Sequence, residues 1–232
     1  MAKWLIFGGL VGTLLLPSVS FASPQVQVLP GEIKADFSYT LSRSTEKYHE
    51  DWGSTSRSVD GHAQEYNITY GLKDDYAVSL GLNNYRYNTF DDGQNQQTTP
   101  SNDTIDINVQ KRITNNLALF AGIKHVTGSW TYASSAYIPP AITRDNSSQN
   151  IAEIGFIGEV KLSNRTRAFA TAGAGHDLRE YKVGLSYDRF DIGYRYVKYD
   201  NLYNPLFATT GPSINGLDLT VKGLYFGMSY KL

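Results

Sequence analysis

The chain has 232 residues, a formal net charge of −1 and no cysteine. The lack of cysteine excludes disulfides, thiol catalysis and thiolate metal sites, and the balanced charge provides no basic field for nucleic acid. The 17 Tyr, 10 Phe and 21 Gly, beside only 8 Pro, favour an all-β fold of many strands joined by turns.

The first 22 residues have the pattern of a secretory signal peptide. Lys3 precedes an apolar run over residues 4–16, and small residues follow near Ala22. We predict signal cleavage between Ala22 and Ser23. The alternative is a retained membrane helix, but the run is shorter than the roughly 20 residues that a span requires. The predicted segments are a signal peptide over residues 1–22, a periplasmic lead-in over 23–30 and one domain over 31–232.

From Ile33 onward, apolar and polar side chains alternate with a period of two, which is typical of half-buried β-strands. Short turns such as Lys73 to Asp75 alternate with long polar stretches between the strands. The predicted strands cover residues 33–42, 65–72, 76–83, 105–110, 117–123, 152–162, 167–175, 181–187, 192–197 and 217–232, with a change of phase at Lys222-Gly223 where glycine would permit a bulge. The long stretches cover residues 44–61, 91–102, 128–148 and 200–216, and a shorter link covers 177–180.

Strict alternation of short and long connections favours a transmembrane antiparallel up-and-down β-barrel over a soluble β-sandwich. In such barrels the short turns lie in the periplasm and the long loops outside the cell, so both termini are expected in the periplasm. We predict ten strands. Eight strands are the fallback if the link over residues 177–180 is not a true loop.

One face of each predicted strand is apolar and would contact lipid, so the charged side chains of the other face would point into the lumen. Both signs occur there in near balance, which predicts ion pairs filling a narrow interior and excludes a wide pore. The predicted lumen-facing charges are Lys34, Asp36, Glu65, Asp106, Arg112, Lys124, Glu153, Glu159, Lys161, Arg167, Lys182, Arg195, Asp218 and Lys222.

Tyrosines near the strand ends are interpreted as aromatic girdles at the two lipid–water boundaries, with ordinary β-propensity as the alternative. The predicted outward-facing tyrosines are Tyr39, Tyr66, Tyr70, Tyr76, Tyr85, Tyr181, Tyr187, Tyr194 and Tyr230. Other aromatics fall in the predicted loops, where they would either bind a partner or cap the barrel. These are Tyr48, Trp52, Trp130, Tyr132, Tyr137, Tyr203 and Phe207.

The last strand carries apolar side chains at alternate positions up to the final residue. With the signal peptide and the strand alternation, this pattern resembles the small outer-membrane β-barrel proteins of diderm bacteria, which include opacity-protein and adhesin-like barrels. The resemblance spans the whole mature chain but is generic, so it identifies no subfamily; one departure is that many members end in phenylalanine. It implies a C-terminal assembly signal at Leu224, Phe226, Met228, Tyr230 and Leu232.

Members of this group include adhesins, narrow channels and a few enzymes, so histidines near the outer rim require inspection. His125 and the His176-Asp177 pair are expected there, as in omptin-type proteases. However, Asp74-Asp75 falls at a predicted periplasmic turn, and His125-Val126-Thr127 does not match the His-x-Ser of outer-membrane lipid A deacylases. We therefore predict no catalytic residues. His49-Glu50-Asp51 and His62 lack the spacing of a metal site, and no cofactor is predicted.

These features predict an integral outer-membrane protein that acts structurally or through surface interactions of its loops. A narrow channel for ions or small solutes is the alternative, and a surface enzyme is a third hypothesis. The expected partners are outer-membrane lipid and the barrel-assembly machinery, with an unidentified extracellular ligand and no nucleic acid.

Overall fold

The structure is a computed structural model that describes Val26 and residues 28–50, 53–91, 96–134, 141–202 and 214–232. The predicted signal peptide and its cleavage site at Ala22 and Ser23 lie outside these residues. Among the described residues, no helix has the length and apolar character needed to cross a membrane.

The described residues form eleven strands, one of which has only two residues. The strands are β1 (Ile33–Glu50), β2 (Gly53–Gly71), β3 (Tyr76–Tyr87), β4 (Phe90–Asp91), β5 (Gln96–Thr114), β6 (Leu117–Ser134), β7 (Ala141–Lys161), β8 (Thr166–Gly175), β9 (Leu178–Tyr187), β10 (Phe190–Tyr199) and β11 (Ile214–Lys231).

All strand pairs are antiparallel, and the sheet closes on itself. The first and last long strands pair along their whole length, from Lys34 opposite Lys231 to Glu50 opposite Ile214. Strand β3 pairs directly with β5, while β4 only flanks the outer end of β5. Ten strands therefore close the barrel, which confirms the predicted count. The eight-strand fallback is wrong, because residues 176–177 form a true turn between β8 and β9.

Several segments predicted as long loops are instead extensions of the strands. The β1–β2 hairpin stays paired up to Glu50 and Gly53, and the β6–β7 hairpin stays paired up to Ser134 and Ala141. Backbone pairing needs no apolar side chains, so polar strands continue into water where the period-two hydropathy signal has ended. By contrast, β8, β9 and β10 have ten residues each, so the wall of the barrel is much lower on that side.

An apolar belt, defined as the exposed apolar side chains of the outward face, surrounds the end of the barrel that carries the short turns. On β11 the belt runs from Leu224 through Phe226 to Leu232, which are 54, 48 and 63 % exposed. Nine residues of tilted strand match the roughly 25 Å band of outer-membrane barrels. Further belt members are Leu41, Ile68, Leu80, Ile105, Ile107, Ile123, Ile154, Phe156, Val160, Leu185 and Ile192.

Most tyrosines predicted for the girdle lie on the outward face, but Tyr85 does not. Tyr66, Tyr70, Tyr181 and Tyr187 are exposed on the outward face. Tyr85 instead points into the barrel and is buried, because Ala77, Gly81 and Asn83 of the same strand set the inward parity. Its position near a strand end is therefore not evidence of lipid contact.

Strand β11 keeps one phase from end to end. The register passes through Lys222 and Gly223 without a bulge against both neighbouring strands, and the buried residues on either side have the same parity: Leu219 and Val221 before it, Tyr225 after it. The expected change of phase is therefore wrong. As a consequence, Lys222 and Asp218 both lie on the outward face instead of facing the lumen. Lys222 is exposed, and Asp218 is half-buried.

Candidate functional site: the barrel lumen

Most charges predicted for the lumen occur on the inward face of their strands. The structure brings them into three groups, around Lys124, around Glu65 and near the short turns. Buried or half-buried members are Lys34, Asp36, Glu65, Asp106, Arg112, Lys124, Glu153, Glu159, Arg167, Lys182 and Arg195. Lys161 differs, because it lies at the turn end of β7 and is exposed.

The Lys124 cluster places one ammonium group among three carboxylates. Lys124 is 1 % exposed, and its Nζ donates a hydrogen bond of 2.6 Å to Glu180 Oε2. Asp106 and Glu153 each bring a carboxylate oxygen to 3.5 Å from the same Nζ. Four strands thus converge on one cation. An isolated ion in a low-dielectric interior is costly, and here carboxylates from β5, β7 and β9 compensate the cation of β6.

The Glu65 cluster is the second group. Glu65 forms ion pairs with Arg195 and with Lys182, whose Nζ lies 3.2 Å from Glu65 Oε2, and Ser38 donates a hydrogen bond of 2.5 Å to the same oxygen. Two cations share one carboxylate here, whereas three carboxylates share one cation around Lys124. Together the two clusters are close to neutral, which agrees with a filled and ion-paired interior.

Tyr225 occupies the space beside the Glu65 cluster, and two glycines make that space. Gly184 and Gly193 lie opposite each other on β9 and β10, and a Cβ on Gly193 would come within 2.8 Å of Tyr225 Cε1. The ring is fully buried and lies under Lys182, with Nζ 4.0 Å from its centroid. The missing side chains therefore let a large ring lie against the wall and support a lumen cation.

A polar cavity of about 190 Å³ lies between these clusters. Its lining includes both signs of charge, contributed by Glu65, Lys124, Glu180, Lys182 and Arg195. A cavity of this size holds several water molecules or a small ion. It is far smaller than the open lumen of a large porin.

An apolar layer closes the barrel between this cavity and the long hairpins. Its largest members are Tyr85, Tyr87 and Tyr199, which are 1, 5 and 1 % exposed. The remaining members come from six strands and one connection. They are Ala63, Val126, Ile151, Leu178, Val197, Leu202, Leu219 and Val221. These packed side chains narrow the lumen at this level.

The opposite mouth is narrowed by the segment that precedes β1. Val26 and Val28 are 1 and 9 % exposed, and the backbone N–H of Gly31 donates to the carbonyl oxygen of Gly71 at 2.9 Å. Gln110 Nε2 donates to the carbonyl oxygen of Val26 at 3.4 Å. The described part of the predicted lead-in, Val26 and residues 28–30, thus packs into the turn end of the barrel.

Sequence reasoning missed several residues of this interior. The strand boundaries predicted from the sequence leave Glu180 and Asp191 in connections. Both instead lie on the inward face of short strands: β9 begins two residues before Glu180, and β10 begins one residue before Asp191. Tyr199, Leu219 and Val221 were missed because apolar side chains were expected to face lipid. The inward parity of their strands, counted from Arg195 or Tyr225, is the signal that would have found them.

The rim histidines are not joined into a catalytic arrangement among the described residues. His125 Nδ1 lies 2.7 Å from Asn150 Oδ1, and its Nε2 lies 3.3 Å from Thr127 Oγ1. The His176 side chain is 95 % exposed, and its Nε2 lies 4.0 Å from Asp177 Oδ1. No group of three metal-binding side chains was found among the described residues. The loop aromatics Trp52, Tyr137, Tyr203 and Phe207 lie outside the described residues, as do the side chains of Tyr48, Trp130 and Tyr132.

No protein-family model matches the chain, and no curated protein matches its sequence. Solved structures do match. The outer membrane protease OmpT from Escherichia coli is 13 % identical, covers 93 % of this chain and 99 % of its own, and superposes with a TM-score of 0.53. The attachment invasion locus protein Ail of Yersinia pestis is 11 % identical over 87 % of this chain and 100 % of its own, with a TM-score of 0.48. The outer membrane protein OprG from Pseudomonas aeruginosa is 13 % identical over 90 % and 99 %, with a TM-score of 0.36.

Identities this low speak to the fold alone. The superposition on OmpT agrees with the closed antiparallel sheet described above. The chain therefore has the fold of the bacterial outer-membrane β-barrel proteins, and no subfamily is identified.

Proposed function

We propose that this protein is an outer-membrane barrel with a closed lumen that acts structurally or as an adhesin-like protein, through the surfaces of its long hairpins. One observation carries the proposal: the polar cavity lies between an apolar layer at one end and the buried Val26 and Val28 at the other. A barrel closed in this way offers function only on its outside.

The orientation in the membrane is part of the proposal. Both ends of the described barrel, Ile33 and Lys231, lie on the side of the short turns, and the extended hairpins lie on the other side. Barrels of this class place short turns in the periplasm and long connections outside the cell. The hairpins β1–β2 and β6–β7, with the end of β5 that pairs with β6 beside them, are thus the surface that a partner would meet.

A narrow channel is the second candidate, and the charged cavity is the observation that favours it. Ions would find partners of both signs at Glu65, Lys124 and Arg195. Conduction would require the apolar layer and the Val26 segment to move aside. The closed arrangement makes this candidate the weaker one.

A surface enzyme is the third candidate, and we propose that the protein is not one. Neither His125 nor His176 has a close carboxylate partner among the described residues, apart from Asp177 at 4.0 Å from His176. A general base needs a reacting proton within hydrogen-bond reach and a group that orients the ring. His125 is oriented by an amide and a hydroxyl instead.

The test is a planar bilayer recording of the mature chain, refolded into lipid and verified as folded by heat-modifiable gel migration. We expect folded protein without discrete openings at any voltage. Stable openings whose ion selectivity changes in Arg195→Gln would contradict the closed-lumen proposal and establish the channel. Cell or matrix binding that is lost when the tip of the β6–β7 hairpin is deleted would support the surface role.

A further inference from the structure

On four neighbouring strands the outward face changes from apolar to cationic within two residues of the same register. Strands β9, β10, β11 and β1 are consecutive in the sheet. Moving away from the short turns, each strand loses its apolar belt and then presents a cation. We call these four residues the cationic collar: Arg179 on β9, Lys198 on β10, Lys222 on β11 and Arg43 on β1.

The register shows how close the two central members are. Arg43 and Lys222 are direct cross-strand partners, and both are exposed. Directly below them in the belt, Leu41 faces Leu224, and these residues are 56 and 54 % exposed. The two cations therefore stand at the upper edge of the apolar surface, at the level where lipid headgroups begin.

Like charges directly opposite each other on a sheet are destabilising. No described carboxylate lies within 4.0 Å of Arg43 or Lys222. Asp60 faces Arg43 from the other neighbouring strand without forming an ion pair. By contrast, Lys198 is paired with Asp200 and Asp218. Arg43 and Lys222 thus carry like charges side by side, and only Arg43 has an acidic cross-strand neighbour.

On the opposite wall the described side chains at this edge of the apolar belt are amides, hydroxyls and histidines, as at Asn84, Asn150 and His125, and Arg86 is paired with Asp103 at 2.9 Å. Among the described side chains at the hairpin edge of the belt, cations without a carboxylate within 4.0 Å are therefore found on the side of β1 and β11. Beside them, Tyr181 and Tyr196 stack with centroids 4.8 Å apart, and Tyr196 is the cross-strand partner of Lys222.

We infer that Arg43 and Lys222 form a binding site for the phosphate of a membrane lipid in the leaflet nearest the long hairpins. A phosphate between the two side chains would turn a repulsive pair into two attractive contacts. The acyl chains would lie along Leu41 and Leu224, and the Tyr181–Tyr196 stack would flank the headgroup. The inference rests on the proposed function in one respect only: the proposed orientation identifies the leaflet nearest the long hairpins as the outer leaflet.

The test compares two double variants of the full mature chain. Arg43→Gln with Lys222→Gln removes the central pair, and Lys73→Gln with Lys161→Gln removes two exposed cations at the short-turn end. The probe is phosphatidic acid in phosphatidylcholine–detergent micelles, and native mass spectrometry counts the bound lipid. We expect lipid affinity to fall about fivefold per collar charge, or roughly thirtyfold for both, and to stay near wild type in the control pair.

A second readout separates a lipid site from a general loss of stability. Without anionic lipid, the collar variant should melt at the same temperature as wild type or higher, because the repulsion is gone. With phosphatidic acid, only wild type and the control pair should gain stability. Unchanged lipid affinity in the collar variant, or an equal loss in the control pair, would overturn the site. Equal stabilisation by inorganic phosphate alone would overturn the assignment to lipid. A conducting wild-type barrel would refute the closed lumen and leave these outcomes unaffected.

Discussion

Lys124 Nζ lies 2.6 Å from Glu180 Oε2, although the two residues are separated by 56 positions in the chain and by two intervening strands of the sheet. The contact joins two strands that are not neighbours in the sheet, so it depends on the curvature of the barrel and not only on the pairing of adjacent strands. The buried cation is tolerated because Asp106 and Glu153 also place carboxylate oxygens 3.5 Å from the same Nζ.

Replacing this cation should be costly. Lys124→Met leaves Asp106, Glu153 and Glu180 facing one another without compensation, and we expect the free energy of unfolding to fall by about 3–5 kcal/mol. Urea titration of the refolded protein in vesicles, followed by gel mobility, measures it. Glu180→Gln is the matched control, because Lys124 then retains two carboxylates and the loss should be clearly smaller. Equal losses in the two variants would contradict a cluster centred on Lys124.

Glycine at position 193 should be required by close packing. A Cβ there would meet the carbonyl oxygen of Val183 at 2.1 Å as well as the Tyr225 ring, so Gly193→Ala should destabilise the barrel by about 1–3 kcal/mol. Gly158→Ala is the control, because the nearest atoms to its added Cβ lie at 3.9 Å. The same urea titration applies. If both alanines cost the same, the effect would reflect strand propensity and not the packing of Tyr225.

The apolar belt predicts a strong dependence on depth. Ile107 is 57 % exposed near the middle of the belt, so Ile107→Arg should cost about 2–4 kcal/mol in lipid, whereas Ser101→Arg on the same face above the belt should cost about 0–1 kcal/mol. Unfolding in vesicles distinguishes the two variants. Similar values for both would mean that the membrane does not surround the barrel at this level.

Asp218 predicts a weak acid dependence of stability. It lies above the belt. Burial alone would raise the pKa of its carboxyl, but the hydrogen bonds from His49 and from the backbone N–H of Asn201, together with Lys198, lower it below the ordinary value of 3.8. A lowered folded-state pKa stabilises the protein above pH 3.8, and this contribution is lost as the pH falls through the folded-state value. For a half-buried surface group that is screened by solvent, the effect should stay within about 1 kcal/mol.

The measurement is the difference in unfolding free energy between wild type and Asp218→Asn as a function of pH. Wild type should be the more stable protein at pH 7, and the difference should shrink towards zero below pH 3.8. A difference that persists unchanged in acid would mean that the carboxylate charge is not what stabilises this contact.

Opening both closures should create conductance. Leu219→Ser in the apolar layer combined with Val26→Ser in the opposite mouth adds polar groups and volume at the two narrowest levels, so water and ions should enter the lumen. Leu224→Ser lies on β11 but faces lipid, and it should leave the bilayer silent. Silent recordings from a folded double variant would place the barrier in the charged clusters instead.

The transmembrane half of the barrel could be predicted from the sequence because alternation and parity are local properties. Residues such as Ile107 and Leu224 show their lipid-facing side without any knowledge of their neighbours. The ten-strand count followed from the alternation of turns and long stretches, and the structure confirms it.

The outer half could not be predicted in the same way, because its rules differ. Above the belt, both faces of a strand contact water or protein, so hydropathy no longer marks inside and outside. Tyr85 and Val221 are apolar and inward, while Lys222 is charged and outward, the reverse of the lipid-facing pattern. The residues that they pack against are also distant in sequence, and the hydropathy pattern along one strand carries no information about such contacts.

The unequal strand lengths predict different rates of backbone amide hydrogen exchange at the two ends of β7. Residues 141–152 of β7 rise beyond the last partner on β8, so one edge of this stretch, roughly 40 Å along the strand, leaves its backbone groups to water. Residues 153–158 are paired on both sides within the belt. Backbone amides of the upper stretch should therefore exchange with solvent hydrogen quickly, and those of the lower stretch should be protected until the whole barrel opens.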